Sequence, residues 1–360
     1  MHVGNLRHTL CLGLFVLLVS APLAAETWRE RMHERIQQRG LARQEAGRPP
    51  EAEIGAEMAG EGGGDLSCAE WARRINRIES ARQSRQPGPS PDRGDVAYGP
   101  EPRTRLDVYL PKTRSAGRAP IIVMVHGGGW CVGDKRSEKL TANKVARWVP
   151  AGFIFVAINY PMVSDGADAL AQAGHVARAL AFVQSHAESW GGDAERLLLM
   201  GHSAGAHLVS LVHADARLRQ ANGLRPLLGV ISLDAGAIDV VRQMPRVYPF
   251  LKTRYREAFG EHEAQWVAAS PFHRLEPGAS PWLGVCSTRR QDDPCGQAQA
   301  YAEKSRALGV PARVLPERMS HGAINDDLGL PGRYTAAVEA FMTSLDPAVA
   351  SLLKAGSAQR

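Results

Sequence analysis

Short apolar runs alternate with longer amphipathic stretches from residue 105 onward. Short runs bounded by glycine, proline or polar residues are typical of buried strands, and apolar residues spaced three or four positions apart are typical of helices. The pattern predicts strands at 106–110, 121–125, 153–159, 196–200, 230–233, 282–286 and 312–315. It predicts helices at 139–148, 167–189, 204–214, 297–308 and 334–345.

Strands that alternate with helices over this length predict an α/β fold, with a mostly parallel central sheet covered by helices on both faces. Ligands of such sheets bind beyond the carboxyl ends of the strands. The candidate chemistry is therefore expected in the segments that directly follow the predicted strands.

The segment before this region has a different composition: it is rich in Arg, Glu, Gly and Pro and poor in apolar residues. Residues 26–94 are predicted to be a flexible, partly helical extension, with helices at 27–38 and 68–82. A catalytic domain is expected over residues 95–348, followed by a C-terminal tail at 349–360.

The first residues have the pattern of an export signal. Arg7 and His8 precede an apolar run at 10–21, and small residues follow it up to Ala25. The run is shorter than the roughly 20 residues that span a bilayer, so cleavage of residues 1–25 is favoured over an uncleaved anchor helix. The mature protein is expected to be periplasmic or secreted.

Export changes the interpretation of the cysteines. Removal of residues 1–25 leaves Cys68, Cys131, Cys286 and Cys295. An even number in an oxidising compartment favours disulfides over buried free thiols. The short loop between Cys286 and Cys295 favours that pair, which leaves Cys68 with Cys131. No Cys-x-x-Cys spacing is present, so no metal site is predicted.

Charge and composition exclude some classes of partner. There are 43 Lys and Arg against 37 Asp and Glu, a formal charge of +6, and the basic residues are scattered among acidic ones. Nucleic acid is therefore not expected as a partner. Glutamates interleave with the arginines of the stretch at 29–35, which weakens any basic face, so firm membrane association is not expected either. A small molecule is the expected partner, and the sequence leaves the oligomeric state open.

The pentapeptide Gly201-His202-Ser203-Ala204-Gly205 connects the predicted strand at 196–200 to the predicted helix at 204–214. A G-x-S-x-G string alone is weak evidence. Between a strand and a helix, however, its glycines permit the tight turn that presents a nucleophilic serine hydroxyl. Ser203 is therefore the candidate nucleophile.

A glycine-rich loop, His126-Gly127-Gly128-Gly129-Trp130, follows the predicted strand at 121–125. Without side chains, the N–H groups of Gly128 and Gly129 can approach a developing oxyanion, and the N–H of Ala204 can join them. A phosphate-binding turn is the alternative, but neither a G-K-[ST] nor a G-x-G-x-x-G pattern follows.

The base and the acid are predicted from chain order, which in this type of sheet runs Ser, then Asp or Glu, then His. The last histidine, His321, follows the last predicted strand and is the candidate base. The acid is expected after the strand at 282–286, where Asp293 is preferred over Asp292. No cofactor is required by this chemistry.

With these motifs in place, residues 105–345 resemble the α/β-hydrolase family. The glycine-rich loop and the serine pentapeptide are similar to those of hormone-sensitive-lipase-type carboxylesterases and kynurenine formamidase-like hydrolases. The resemblance implies an α/β-hydrolase fold, a Ser203–His321–Asp293 triad and an oxyanion hole formed by Gly128, Gly129 and Ala204. The run at 287–295 departs from the family's usual Gly-x-x-Asp-x-x-Val-Pro around the acid.

These observations predict an exported serine hydrolase that cleaves carboxylic esters through an acyl-enzyme. An amidase, formamidase or peptidase would use the same residues. A non-catalytic binding protein on a hydrolase scaffold is the alternative from another class. The sequence does not give the acyl length or the physiological substrate.

Overall fold

The computed structural model describes residue 1 and residues 64–85, 88–112 and 117–358. Its centre is a single sheet of the strands β1 (Arg93–Ala97), β2 (Arg105–Tyr109), β3 (Ala119–Val125), β4 (Ile154–Ile158), β5 (Gly192–His202), β6 (Gly229–Leu233), β7 (Trp282–Ser287) and β8 (Ala312–Glu317). The spatial order is β1-β2-β4-β3-β5-β6-β7-β8. β2 is antiparallel to both of its neighbours, and the remaining strands are parallel.

Helices connect and cover the strands. They are α1 (Cys68–Arg85), α2 (Glu138–Trp148), α3 (Ala169–His186), α4 (Ala204–Ala214), α5 (Ala216–Ala221), α6 (Val240–Gln243), α7 (Lys252–Phe259), α8 (Glu263–Ala268), α9 (Pro271–Arg274), α10 (Pro294–Ala307), α11 (His321–Asp326), α12 (Arg333–Thr343) and α13 (Pro347–Ala358). Short 3-10 turns lie at Val163–Asp165, Glu188–Trp190, Met244–Arg246 and Pro249–Leu251.

Alternate side chains of the central strands pack into two different cores. On β3, Ile121 and Val123 join the core formed with α3, α4 and α10, whereas Ile122 and Met124 join the core formed with α2, α12 and α13. Every residue of β3 is buried, as expected for a parallel strand covered on both faces. The predicted α/β fold, with a mostly parallel sheet between two layers of helices, is confirmed.

Three features differ from the pattern-based expectations. β1 was not predicted, because it is an edge strand of mostly exposed, polar residues. It begins at Arg93, within the expected extension. Residues 347–358 form α13, where a tail was expected from residue 349, and Val349 and Leu353 are buried in the core.

The N-terminal helix α1 agrees with the predicted helix at 68–82, and Cys68 at its start is bonded to Cys131. The second disulfide joins Cys286 and Cys295, so both favoured pairings are present. The export signal and the helix expected at 27–38 lie outside the described residues. Among the helices that the structure describes, none has the length and apolar character needed to cross a membrane.

Candidate active site

Ser203 lies in a tight turn between β5 and α4. Its φ of 56° and ψ of −119° are strained for a residue with a side chain, at a cost of about 1–3 kcal/mol. A Cβ on Gly201 would lie 2.4 Å from the carbonyl oxygen of Gly205, and one on Gly205 would lie 2.4 Å from that of Val125. Both glycines of the pentapeptide are therefore required for the turn to pack against β3.

His321 is the first residue of α11, in the segment that follows β8. The Ser320 hydroxyl caps this helix by accepting a hydrogen bond from the Ala323 N–H at 3.2 Å. The imidazole Nε2 lies 2.9 Å from Ser203 Oγ, across 118 positions of sequence. The structure thus brings the predicted nucleophile and the predicted base into hydrogen-bond contact.

The carboxylate that contacts His321 belongs to Asp234, the first residue after β6. Asp234 Oδ2 lies 2.7 Å from His321 Nδ1, and Oδ1 accepts a hydrogen bond from the Ser287 N–H at 2.8 Å. The side chain is completely buried. This arrangement holds the proton on Nδ1 of His321 and leaves Nε2 to accept the proton of the Ser203 hydroxyl.

The expectation that Asp293 contacts His321 is contradicted by this geometry. Asp293 is the N-cap of α10, where its carboxylate accepts a hydrogen bond from the Gly296 N–H at 3.0 Å and pairs with Arg242 at 2.5 Å. Its side chain is 41% exposed. Chain order is satisfied equally by Asp234, which directly follows a buried strand and lies between Ser203 and His321. That position was the available signal in the sequence.

Asp292, the alternative acid, does not contact His321 either. The guanidinium of Arg290 lies between Asp292 and Asp234. Its Nε donates to Asp292 Oδ1 at 3.0 Å, and its Nη1 donates to Asp234 Oδ2 at 3.1 Å. Arg290 Nη2 also pairs with Asp292 Oδ2. Nothing in the sequence pattern singled out Arg290, because a charged residue in a loop is ordinarily solvated.

The buried charges shift the pKa values around the site. Burial alone would raise the pKa of Asp234, but the charge of Arg290 and then the hydrogen bond from His321 outweigh it, so the pKa lies well below its usual value. Burial and then the charge of His321 lower the pKa of His202, whose Nε2 lies 2.9 Å from the His321 carbonyl oxygen. Asp234 is therefore ionised, and His202 neutral, near neutral pH.

The glycine-rich loop lies beside Ser203. Gly128 and Gly129 both have positive φ, 115° and 58°. A Cβ on Gly128 would lie 2.0 Å from the Val132 carbonyl oxygen, whereas one on Gly129 would have no neighbour within 4 Å. Gly129 and Ala204 line the cavity at Ser203, whereas Gly128 is required by the folding of the loop itself.

Trp130, at the end of this loop, is buried and connects it to helices further along the chain. Its indole N–H donates to Nδ1 of His207 at 3.2 Å, and His207 Nε2–H donates to the Ala269 carbonyl oxygen at 2.7 Å. The indole packs edge-on against Tyr255 and Phe259, with ring centroids 5.0 and 4.7 Å away. The loop is therefore held by side chains of α4 and α7.

A cavity of about 540 Å³, part of it open to solvent, lies at Ser203 and His321. The segment at 234–270 follows β6. Its Tyr248, Leu251 and Tyr255 line the cavity. Its other aromatic residues pack elsewhere: the Trp266 indole N–H donates to the Gly260 carbonyl oxygen at 3.0 Å. Arg254, Arg290 and Asp292 complete the charged part of the wall.

Over the described residues, no group of three or more His, Cys, Asp or Glu side chains is arranged to hold a metal ion. The four cysteines of the described chain are all in disulfides. The functional groups at the centre of the site are the Ser203 hydroxyl, the His321 imidazole, the Asp234 carboxylate and the backbone N–H groups beside them.

Residues 106–225 match the BD-FAE family model. The chain is 26% identical over 310 residues to esterase LipQ of Mycobacterium tuberculosis (strain ATCC 25618 / H37Rv), covering 74% of this chain and 72% of LipQ. It is 32% identical over 241 residues to the isoprenylcysteine alpha-carbonyl methylesterase ICME of Arabidopsis thaliana, covering 62% of this chain and 54% of ICME. It spans 30% or less of three related plant methylesterases.

Solved structures with the same fold include esterase B from Lactobacillus rhamnosis (HN001), with a TM-score of 0.59 and 19% identity over 79% of this chain and 93% of that one. The same esterase has been solved inhibited by a C4-C4 tributyrin phosphonate. Thermogutta terrifontis esterase 2 phosphonylated by sarin has a TM-score of 0.59 and 20% identity, over 71% of this chain and 96% of that one.

Proposed function

Since this chain belongs to the α/β-hydrolase family and is a carboxylic ester hydrolase, we propose that it is a serine esterase with Ser203 as nucleophile, His321 as base and Asp234 as acid. The observation that carries the proposal is the position of His321, which contacts Ser203 Oγ at 2.9 Å and Asp234 Oδ2 at 2.7 Å. The imidazole thus contacts both the hydroxyl of a serine with a strained backbone and a buried, ionised carboxylate.

In the acylation half of the reaction, His321 Nε2 takes the hydroxyl proton as Ser203 Oγ attacks the ester carbonyl carbon. Asp234 stabilises the imidazolium that forms. When the tetrahedral intermediate collapses, the bond between the carbonyl carbon and the alcohol oxygen breaks. His321 passes its proton to the departing alcohol, and Ser203 is left acylated.

In the second half, His321 Nε2 takes a proton from a water molecule, whose oxygen attacks the acyl-enzyme. Collapse returns the proton to Ser203 and releases the carboxylic acid. One ester and one water are consumed, and the three side chains return to their starting protonation states, so the cycle closes on the starting enzyme.

The oxyanion of both tetrahedral intermediates is proposed to bind the N–H groups of Gly129 and Ala204, with Gly128 as a third donor. Gly129 and Ala204 line the cavity at Ser203. Ala204 is the first residue of α4, an eleven-residue helix whose N-terminus favours negative charge. Loss of one such donor typically costs about 3 kcal/mol of transition-state stabilisation.

The proposed substrates are esters of small or medium acyl groups. Tyr248, Leu251 and Tyr255 line the cavity beside Ser203, and these large side chains favour a short or medium acyl group there. The similar esterase B binds a phosphonate with four-carbon chains. We also propose that the protein acts after export, since both pairs of its described cysteines form disulfides, which persist in oxidising compartments.

Labelling with a fluorophosphonate, followed by peptide mass mapping, tests the assignment of the nucleophile. The adduct is expected on Ser203 in the wild-type chain and on no residue of Ser203→Ala. The exposed Ser185, on α3, provides a matched control. Ser185→Ala also removes a serine hydroxyl, but one that bonds the Phe182 carbonyl oxygen instead of His321. An adduct that persists in Ser203→Ala would contradict the proposal.

A comparison of matched esters and anilides tests the amidase alternative, which uses the same side chains. The proposal predicts a higher kcat/KM on the ester. A higher kcat/KM on the anilide would identify an amidase instead.

A further inference from the structure

We propose that Arg290 is a positioning residue of this site, which holds the Asp234 carboxylate against His321 and is itself held by Asp292 and by the Cys286–Cys295 disulfide. This inference rests on the proposed function, since it assigns a role within the same reaction. It concerns a loop that the sequence identified only as a possible source of the acid.

Arg290 is the centre of a buried chain of charges. Its Nη1 donates to the Asp234 carbonyl oxygen at 3.0 Å and to the Asp234 carboxylate at 3.1 Å, while Nε and Nη2 donate to Asp292. The exposed fractions of the Arg290, Asp234 and Asp292 side chains are 8%, 0% and 3%. A buried guanidinium with a carboxylate on each side satisfies all three groups. Removing the guanidinium would leave two buried carboxylates uncompensated.

The contacts of Arg290 fix the orientation of the carboxylate that orients the base. Asp234 Oδ2 accepts from both His321 and Arg290, and Oδ1 accepts from the Ser287 N–H. With donors on both oxygens, the carboxylate has little freedom to rotate away from the imidazole. Loss of the Arg290 donor would leave Oδ2 held by His321 alone.

The loop that carries Arg290 is closed at both ends. Cys286 is in β7 and Cys295 is in the first turn of α10, so the disulfide joins the two ends of the segment between them. Gly236 provides the space for the side chain, because a Cβ there would lie 2.3 Å from Arg290 Nη2. Displacing a guanidinium that is paired on both sides is costly, so this position also favours glycine.

Arg290 also contacts the base directly. Its Nη1 lies 3.3 Å from His321 Nδ1, which in turn lies 2.7 Å from Asp234 Oδ2. On β5, the His202 ring lies beside His321, tilted by 38°, with ring centroids 4.6 Å apart. On α2, Lys144 and Lys139 bind the opposite end of α11, at Asn325 and Asp326. Arg290 is thus the cation in direct contact with both members of the Asp234–His321 pair.

The test compares Arg290→Met with the wild type in kcat and KM on one p-nitrophenyl ester. We expect kcat to fall by about a hundredfold with KM little changed, because misplacement of a catalytic group affects the transition state.

Arg290→Lys and Arg290→Met/Asp292→Asn separate positioning from folding. Lysine keeps the charge but loses the planar guanidinium that donates to Asp234 and Asp292 together, so kcat is expected to recover only in part. The double variant removes the uncompensated Asp292 charge and is expected to recover thermal stability without recovering kcat. Recovery of kcat together with stability would overturn the proposal, since the role would then be structural.

Arg242→Met is the matched control, because Arg242 pairs with the neighbouring Asp293 and does not contact His321. It is expected to keep the wild-type kcat and KM. Wild-type kcat in both Arg290→Met and Arg290→Lys would overturn the inference. Ser203→Ala, measured alongside, distinguishes the two proposals: if it retains turnover, the serine mechanism fails; if it is inactive while Arg290→Met matches the wild type, only the role of Arg290 fails.

Discussion

His321 contacts Asp234, a residue 87 positions earlier in the chain, through a 2.7 Å hydrogen bond at the carboxyl end of β6. The parallel arrangement of β5, β6, β7 and β8 places the residues that follow these strands along one edge of the sheet. Ser203 and His321 follow two of the strands, and Asp234 follows the strand next to β5. The contact between Asp234 and His321 is therefore a consequence of strand order rather than of distance along the chain.

Replacing Asp234 by asparagine tests the assignment of the acid. Asp234→Asn keeps the shape of the side chain but removes the charge that holds the imidazole in the required tautomer. Loss of the carboxylate in this way lowers kcat by roughly 10⁴-fold in serine hydrolases, so steady-state hydrolysis of a p-nitrophenyl ester should show a decrease of that order.

Asp293→Asn is the matched control for that experiment. It makes the same chemical change at a 41% exposed N-cap that pairs with Arg242. Its expected cost is about 1 kcal/mol of stability with little effect on kcat. If Asp293→Asn were the more damaging variant for kcat, the acid would be the residue first expected from the sequence.

Gly128 and Gly129, in the loop beside Ser203, provide a second test, since both have positive φ but only Gly129 has free space for a Cβ. Gly129→Ala is expected to cost about 1–2 kcal/mol of stability from backbone strain alone. Gly128→Ala adds a clash with the Val132 carbonyl oxygen and is expected to cost more. Chemical denaturation of both variants measures the difference. Equal losses would show that the clash is relieved by a small shift of the loop.

The disulfides should differ in their contributions to stability. Cys68–Cys131 spans 63 positions and Cys286–Cys295 spans 9. Loop-closure entropy predicts about 4 kcal/mol for the first and about 3 kcal/mol for the second. Paired Cys→Ser variants, compared by denaturation, should reproduce that order. The reverse order would indicate that strain in the folded protein or residual structure in the unfolded chain, rather than loop length, determines how much each disulfide stabilises the protein.

Two buried histidines on α4 make stability depend on pH. Burial lowers the pKa of both His207 and His213 to about 4, whereas a histidine in an unfolded chain has a pKa of about 6.5. Between these values the unfolded chain binds more protons than the folded one. The free energy of unfolding should therefore fall with decreasing pH, by up to about 1.4 kcal/mol per pH unit for each residue.

Denaturation curves between about pH 7 and pH 4, the window set by those pKa values, measure that slope. His213→Gln removes one titrating group and should give a shallower dependence than the wild type. An unchanged slope in this variant would show that His213 does not contribute.

The strands, the serine turn and the contact between Ser203 and His321 were predictable because each has a local signature: apolar runs, a G-x-S-x-G string at a strand end, and the last histidine after the last strand. The carboxylate that contacts His321 was not, because Asp234 and Asp293 both satisfy the chain-order rule and only tertiary structure distinguishes them. β1 was missed because an exposed edge strand buries too little to show a pattern. The role proposed for Arg290 depends on its contacts with Asp234 and His321. These residues come from other segments of the chain, so no local sequence pattern indicates the contacts.

The measurement that tests the central claim most directly is hydrolysis of a p-nitrophenyl ester series, from acetate upward, by the wild-type chain and by Ser203→Ala. The serine mechanism predicts turnover by the wild type with an optimum at short or medium acyl length, and loss of turnover in a folded Ser203→Ala. Turnover that survives in Ser203→Ala, or its absence from a folded wild-type chain on every ester of the series, would contradict the account.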